Sequence, residues 1–226
     1  RILYGFPNHR RRSRERDHDA SRHIHTRLYP TLSKYDGNHY CEVSTRFYMP
    51  RLFFGLTFPG SVRREIHTLH VKPYEHELIS AGWKIGAPEN YHLTLHFVGE
   101  VSPRAAAHLT REFTQTIFPR SQTLTIGGVP RFFGKNVCYV PVRDQRKFLA
   151  RTHEICEGLA PNPEAQKFTP HITVARRTHA KTPSTLLVSP HEVPTFFTPG
   201  HVSLLLSQTR KGRTTYPEIT RVPLSD

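Results

Sequence analysis

Along most of the chain, segments in which hydrophobic residues recur at strand spacing alternate with segments in which they recur at helical spacing. This pattern predicts strands and helices in turn. A short apolar run over Arg51–Thr57 predicts a buried strand, and apolar positions then recur at helical spacing within Ser61–Val71. Tyr91–Val101 alternates apolar and polar residues, as a half-buried strand does. Ser102–Pro103 then supplies a cap and a first turn for a helix that runs to about Ile117. The unit of a strand followed by a helix therefore occurs twice.

The second half of the chain continues with hairpins as well as helices. Leu124–Phe133 and Asn136–Val142 are predicted to be paired strands joined around Gly134, and Gln145–Leu159 has a helical apolar face. Phe168–Arg176 is predicted to be a further strand.

A last hairpin is predicted from Gly200–Ser207 and Tyr216–Leu224, joined across Arg210–Arg213. Because hairpins are mixed with crossover helices, the pattern favours an α+β fold with mixed or mainly antiparallel sheets over a doubly wound parallel sheet.

Residues 1–48 differ from this pattern, since they show no hydrophobic period of either kind. Nine arginines and one lysine against five acids give them a net charge of +5, with the basic run His9–Arg16. They contain no apolar core of a secretory signal, and their acids argue against a transit peptide. We expect residues 1–48 to be either sequence upstream of a natural start at Met49, read in frame, or a disordered basic extension. A single domain is expected over residues 49–226.

The composition narrows the class of partner. The 226 residues carry a net charge of +14, of which +9 falls on residues 49–226. This suits a polyanion such as RNA, DNA or an acidic membrane surface, and the charge alone does not choose among them. No run approaches the roughly 20 apolar residues that cross a bilayer, so no membrane association is expected. Cys41, Cys138 and Cys156 have no CxxC spacing, which indicates neither a disulfide framework nor a thiolate zinc site. A cytoplasmic protein is expected.

Two four-residue segments share one pattern of histidine, apolar residue, threonine, apolar residue. They are His92–Leu95 and His171–Val174, each within a predicted strand. Residues i and i+2 of a strand project to the same face, so each segment presents an imidazole beside a hydroxyl. Side by side, the two strands would bring two imidazoles and two hydroxyls to one site.

This set of groups suits cleavage of a phosphodiester. Imidazole, with an ordinary pKa near 6.5, serves as either general acid or general base at neutral pH, and hydroxyl and guanidinium groups bind phosphate oxygens. A single strand histidine is most often structural, and residues 49–226 contain eleven, so the prediction depends on the pair. A zinc site of His92 and His96 is disfavoured because four strand residues span roughly 13 Å.

The chain from Met49 to about Leu224 resembles the 2H phosphoesterases, and among them the RNA 2′,3′-cyclic phosphodiesterases also known as 2′-5′ RNA ligases. The resemblance rests on MPRLFFGLTFP, PENYHLTLHFVGEVSP, FTPHITVAR and LLLSQTRKGRTTYPEITRVPL. It implies a two-lobed, pseudo-symmetric α+β fold with mainly antiparallel sheets, helices outside and a central cleft. The implied reaction opens an RNA terminal 2′,3′-cyclic phosphate to a 2′-phosphate without metal or cofactor, and 2′-5′ ligation is a related activity.

Carried over position by position, the resemblance implies that His92 is the general acid and His171 the general base. Thr94, Thr173 and Arg176 are then the phosphate-binding residues. The residues alone leave the acid and base roles interchangeable. Strict alternation puts Arg176 on the wrong face of the strand and makes Arg177 the alternative. Arg176 fits if the strand ends or bulges after Val174, or if its side chain reaches the phosphate from the rim of the site.

The expected partners are RNA ends or nucleotides with a 2′,3′-cyclic phosphate, bound by a monomer. Phe97, Phe132, Phe133 and Tyr216 are candidates for stacking on a base, although a residue of each kind is more often part of the core. The alternative function is a non-catalytic RNA-binding or nucleotide-binding module on the same scaffold.

Overall fold

The computed structural model of the protein describes residues 49–163, 167–177 and 193–225. The prediction for residues 1–48 lies outside the described residues. Eleven strands and four α-helices occur within the described ranges. The strands are β1 (Arg51–Thr57), β2 (Lys84–Ile85), β3 (His92–Glu100), β4 (Leu124–Ile126), β5 (Arg131–Phe133), β6 (Val137–Arg143), β7 (His171–Arg176), β8 (Thr195–Phe197), β9 (His201–Arg210), β10 (Arg213–Thr215) and β11 (Glu218–Pro223).

The four helices begin where the sequence offers a partner for free backbone N–H groups or a proline-led turn. They are α1 (Gly60–His70), α2 (Glu75–Ser80), α3 (Pro103–Thr114) and α4 (Phe148–Leu159). The hydroxyl of Ser102 accepts a hydrogen bond from the backbone N–H of Ala105 and caps α3, as predicted. The Asp144 carboxylate accepts from the backbone N–H of Leu149, so α4 begins three residues after the predicted Gln145.

Every strand pair among the described residues is antiparallel. The sheet has the order β10-β9-β1-β3-β7-β6-β4-β8, while β11 pairs with β9, β2 with β7 and β5 with β6. One array of strands is built around β1, β3 and β9, and the other around β6 and β7. The two arrays meet where β3 lies beside β7, so the expected α+β fold of two antiparallel lobes is confirmed.

The hydrophobic core lies between one face of this sheet and the helices. Leu93 of β3 and Ile172 of β7 are both fully buried in it, together with Phe113 of α3 and Phe148 of α4. Burying side chains of this size stabilises the fold by about 1.5–3 kcal/mol each. Because residues alternate along a strand, the polar neighbours of Leu93 and Ile172 point to the other face.

Two of the predicted strands are interrupted. Leu124–Phe133 is not one strand but two, because Gly127 and Gly128 adopt positive φ angles and turn the chain between β4 and β5. The last hairpin turns at Lys211–Gly212 as predicted, but its returning strand starts earlier than the predicted Tyr216, as β10, and is interrupted at Tyr216 and Pro217 before it continues as β11. The short elements α2, β2 and β8 were not predicted.

No helix within the described residues is long and apolar enough to cross a membrane.

Candidate active site at the junction of β3 and β7

The two predicted motifs lie on adjacent strands in the structure. Leu93 pairs with Ile172 in antiparallel register. The same register puts His92 opposite Thr173 and Thr94 opposite His171, so the two motifs are related by a local twofold axis. These four side chains are half-buried on the face opposite the core, which we call the motif face.

Both imidazoles are oriented by the backbone just before their own strand. His92 donates its Nδ1–H to the carbonyl oxygen of Asn90 at 2.7 Å, and His171 donates its Nδ1–H to the carbonyl oxygen of Thr169 at 2.7 Å. A carbonyl oxygen only accepts, so the proton of each neutral ring is on Nδ1. Nε2 of each ring is therefore the nitrogen that accepts or donates a proton on the motif face.

Each motif ends in a β-bulge, which sequence alternation alone does not reveal. In β7, Tyr139 pairs with Thr173 and Cys138 with Ala175, so Val174 is the extra residue. The bulge reverses the alternation and brings Arg176 to the motif face, where it is exposed. In β3 the extra residue at the same motif position is Leu95.

Arg177, the alternative to Arg176, points to the opposite face. It is 6% exposed, and its guanidinium lies 4.7 Å from the centre of the Trp83 ring. It donates hydrogen bonds to the carbonyl oxygens of Ala81 and Lys135. Arg177 therefore ties β7 to neighbouring segments, whereas Arg176 shares a face with the two histidines.

Aromatic rings flank both histidines. The ring centres of Phe53 and Tyr216 lie 5.0 and 4.5 Å from that of His92. Those of Phe133 and Tyr139 lie 4.9 and 5.3 Å from that of His171. Sequence reasoning missed Phe53 and Tyr139, because a buried aromatic residue on a strand is ordinarily assigned to the core.

The four stacking candidates separate into two groups. Phe97 is 48% exposed and lies beside Phe53 on the motif face, where Tyr216 and Phe133 also lie. Phe132 is not on this face, because its ring packs against Trp83 at 5.0 Å and joins the core.

Burial lowers the pKa of both imidazoles. The pKa of His92 falls to about 4, because burial disfavours the charged ring, while the Asn90 carbonyl opposes the shift and His171 and Arg176 add to it. Burial also lowers the pKa of His171. The hydrogen bond to the Thr169 carbonyl opposes this shift, and the charge of Arg176 adds to it. Arg176 is thus close enough to act on both rings, and the site favours binding of an anion.

No group of three histidine, cysteine, aspartate or glutamate side chains in the described part of the chain is arranged to hold a metal ion. His96 is 3% exposed and donates from Nε2 to the carbonyl oxygen of Ala160, away from His92. The expectation that His92 and His96 do not form a zinc pair agrees with this placement.

Comparison with known proteins gives a family and a fold. The model of the 2′-5′ RNA ligase superfamily matches residues 86–209, more than half of the chain. An RNA 2′,3′-cyclic phosphodiesterase of Aeropyrum pernix is 33% identical over 94 residues, which are 39% of this chain and 53% of that protein. The match thus spans about half the length of this curated relative.

Solved structures share the fold over most of the chain. E. coli LigT in its apo form is 24% identical with a TM-score of 0.64, and the match covers 79% of this chain and 100% of LigT. The protein TT0787 of Thermus thermophilus is 22% identical with a TM-score of 0.56, over 77% of this chain and 97% of that protein. With two HxTx motifs on one face of this fold, the chain belongs to the 2′-5′ RNA ligase superfamily of 2H phosphoesterases.

Proposed function

We propose that the protein hydrolyses the terminal 2′,3′-cyclic phosphate of RNA to a 2′-phosphate by acid and base catalysis with two histidines. The observation that supports this most directly is the twofold arrangement of β3 and β7. It puts two imidazoles on one face, each with Nδ1–H bound to a carbonyl oxygen and Nε2 directed away from the backbone. One phosphate bound between them has a proton acceptor on one side and a proton donor on the other.

In the proposed reaction, Nε2 of His171 accepts a proton from water as its oxygen attacks phosphorus. The bond from phosphorus to the ribose 3′ oxygen breaks, and protonated Nε2 of His92 donates its proton to that oxygen. The products are a 2′-phosphate and a 3′-hydroxyl. When the 5′-hydroxyl of a second RNA replaces water, the same proton transfers give a 2′-5′ linkage.

Thr94, Thr173 and Arg176 bind the phosphate oxygens in this proposal. Each threonine lies directly across the strand pair from a histidine, so its hydroxyl is on the same face as the two rings. The positive charge of the Arg176 guanidinium stabilises the transition state more than the bound substrate, because the phosphate oxygens carry extra negative charge in the transition state.

The relatives support a nucleotide substrate. The Aeropyrum pernix relative is named for the cyclic phosphodiesterase activity, and E. coli LigT has been crystallised with phosphate and with 3′-AMP. We assign RNA ends and nucleotides as the partners of this chain. We expect the chain to act as a monomer in the cytoplasm. Cys138 and Cys156 are buried free thiols, which suits a reducing compartment.

The first test measures turnover of an RNA with a 2′,3′-cyclic phosphate, with and without EDTA. We expect turnover to persist in EDTA, because two imidazoles supply both proton transfers. His92→Ala and His171→Ala should each lower kcat by roughly 100-fold or more with little change in thermal stability. His76→Ala, an exposed histidine on α2, is the matched control. Full activity of both single variants would refute catalysis by the two histidines. Binding without any turnover by the wild type would favour the alternative of a non-catalytic binding module, and loss of turnover in EDTA would overturn the metal-free mechanism.

A second test assigns the acid and the base. A substrate whose 3′ leaving group is much more acidic than a ribose hydroxyl departs without a proton. It should restore turnover of the variant that lacks the acid, His92→Ala, and not of His171→Ala. The opposite pattern would exchange the two roles.

A further inference from the structure

A second site lies on the motif face, at some distance from the two histidines. It is a cavity of about 280 Å³ between the β4–β8 edge of the sheet and the segment that precedes α4. Its lining is mostly polar: Gln122, Thr123, Thr125, Gln145, Arg146 and Phe196.

Strand register shows that this cavity opens on the same face as His171. Tyr139 contacts the His171 ring, and Arg143 lies four residues further along β6, so both point to the motif face. Thr125 pairs with Arg143 and Phe196 pairs with Thr125, so this orientation continues across β4 to β8. From β7 to β8 is three strand spacings, about 14 Å.

Arg146 lines the cavity, and three further arginines lie near it. Arg146 also lines an adjoining cavity of about 220 Å³ together with Arg120 and Arg151, and Arg143 stands at the edge nearest to β7. None of the four forms an ion pair with a carboxylate among the described residues. The nearby Asp144 carboxylate is engaged with the first turn of α4.

An exposed aromatic ring lines the same cavity as Arg146. Phe196 is 64% exposed, although its neighbours in β8, Thr195 and Phe197, are buried or partly buried. A large apolar ring beside guanidinium groups suits a nucleobase, which stacks on the ring while its phosphates bind the arginines. An acidic peptide would bind the arginines but would not stack on the exposed ring of Phe196.

We propose that Phe196, Arg143 and Arg146 bind RNA nucleotides that precede the reacting 3′ end, with a base stacked on Phe196. This inference rests on the proposed function and extends it, since it makes an oligonucleotide the preferred substrate class. Phe196, three strand spacings from the strand of His171, lies beyond the reach of a mononucleotide bound at the histidines, so stacking on this ring acts only on longer RNA.

The experiment compares a nucleoside 2′,3′-cyclic phosphate with a single-stranded RNA hexamer that ends in the same group. We expect kcat/KM to be higher for the hexamer in the wild type. Phe196→Ser should lower kcat/KM for the hexamer by about tenfold and leave the mononucleotide unchanged. Arg146→Gln should weaken hexamer binding and reduce the slope of log Kd against log salt concentration by about one.

Matched controls are exposed residues outside the site. They are Ile79→Ser on α2 and Arg104→Gln in the first turn of α3, at the far end of that helix from the segment that carries Arg120. Neither should change the ratio of the two substrates. Equal activity of the wild type on both substrates, or an equal loss on both in Phe196→Ser, would overturn the inference.

Binding of a hexamer that ends in a 2′-phosphate separates this inference from the proposed function, since it needs no turnover. If the wild type cleaves neither substrate, the proposed function fails. Weaker binding of the hexamer by Phe196→Ser than by the wild type would still support the RNA-binding site. Unchanged hexamer binding in that variant overturns the site whether or not the enzyme is active. Equally tight binding of a polyglutamate peptide of the same charge would overturn it in favour of an acidic protein partner.

Discussion

Each motif histidine is held by a carbonyl oxygen two residues before it, and burial lowers the pKa of each ring. In the free protein both rings are therefore neutral at pH 7, whereas the proposed reaction needs one neutral ring and one protonated ring. The singly protonated pair is most abundant below pH 6.5 when both pKa values lie below that value. A bound phosphate anion raises both pKa values.

These shifts predict different pH optima for the two kinetic constants. The profile of kcat/KM, which reports the free enzyme, should be bell-shaped with its maximum below pH 6.5. The profile of kcat should have its maximum at a higher pH, because the bound phosphate favours protonated imidazole. Steady-state rates between pH 4.5 and 9 measure both profiles. A maximum of kcat/KM above pH 7 would contradict the proposed pair of histidines.

Gly55 provides a second prediction for a single residue. It lies opposite Thr94, and a Cβ there would be 2.8 Å from the carbonyl oxygen of Leu93 and 3.2 Å from Cδ1 of Leu205. Gly55→Ala should therefore push β1 away from β3, destabilise the fold by about 1–3 kcal/mol and lower kcat. Gly158→Ala in α4, where no atom lies within 4 Å, should instead stabilise the fold by about 0.5–1 kcal/mol. Urea unfolding measures both, and a neutral Gly55→Ala would refute the close packing.

Strands β3 and β7 each contain a bulge after the motif threonine. In both strands a donor from another segment binds the backbone carbonyl of the bulge residue. The carbonyl oxygen of Val174 accepts from the backbone N–H of Gly86 at 2.8 Å. The carbonyl oxygen of Leu95 accepts from Nδ1–H of His153 on α4, also at 2.8 Å. Each bulge thus has its free carbonyl satisfied by a donor from another segment, which keeps the strand in the register of the motif.

This arrangement predicts an effect of His153 on catalysis from the core side of the sheet. His153→Phe keeps a ring against Phe168, which stacks on His153 at 4.4 Å, but leaves the Leu95 carbonyl without its donor. We expect a loss of about 1–3 kcal/mol in the free energy of unfolding and a fall in kcat, with KM little changed. His153→Asn keeps a donor near the Nδ1 position and should recover part of kcat. A loss of stability with unchanged kcat would make His153 purely structural.

At the level of elements, sequence periodicity predicted the long strands and helices but not their interruptions. β1, β3 and β7 each bury several apolar residues, and such runs are visible in the sequence. The break between β4 and β5 depends on the positive φ of two glycines, and β2 and β8 are too short to show a period. The face of Arg176 depends on the Val174 bulge, which is set by pairing with β6 and not by β7 alone. The pairing of β3 with β7 that unites the two motifs is likewise a long-range contact, which the repeated motif suggested but local patterning could not establish.

Over the whole molecule, two similar lobes carry different residues at the same position. Beyond the bulge, β7 presents Arg176, whereas β3 presents the exposed Phe97. The second lobe also carries Arg143, Arg146 and Phe196 on the motif face. The symmetric histidines thus lie on a surface whose two sides differ, with Arg176 following one motif and Phe97 following the other.

The buried imidazoles also link the candidate active site to the stability of the whole domain. Because burial lowers the pKa of His92 to about 4, the folded state binds fewer protons than the unfolded state, where the pKa is near 6.5. The contribution of this group to stability is thus complete above pH 6.5 and is lost as the pH falls towards 4.

His92→Gln removes this dependence. When the pH is lowered from 7.5 to 4.5, the variant should therefore gain stability relative to the wild type, which loses the contribution of His92. We expect a relative gain of about 1–2 kcal/mol, below the full shift because the ring is partly exposed. Thr94→Ser, which adds no titrating group at the same site, should keep the wild-type slope. Urea unfolding at both pH values measures the difference. Parallel curves for His92→Gln and the wild type would show that His92 takes up protons equally well in the folded and unfolded states, and its burial would then have no energetic consequence.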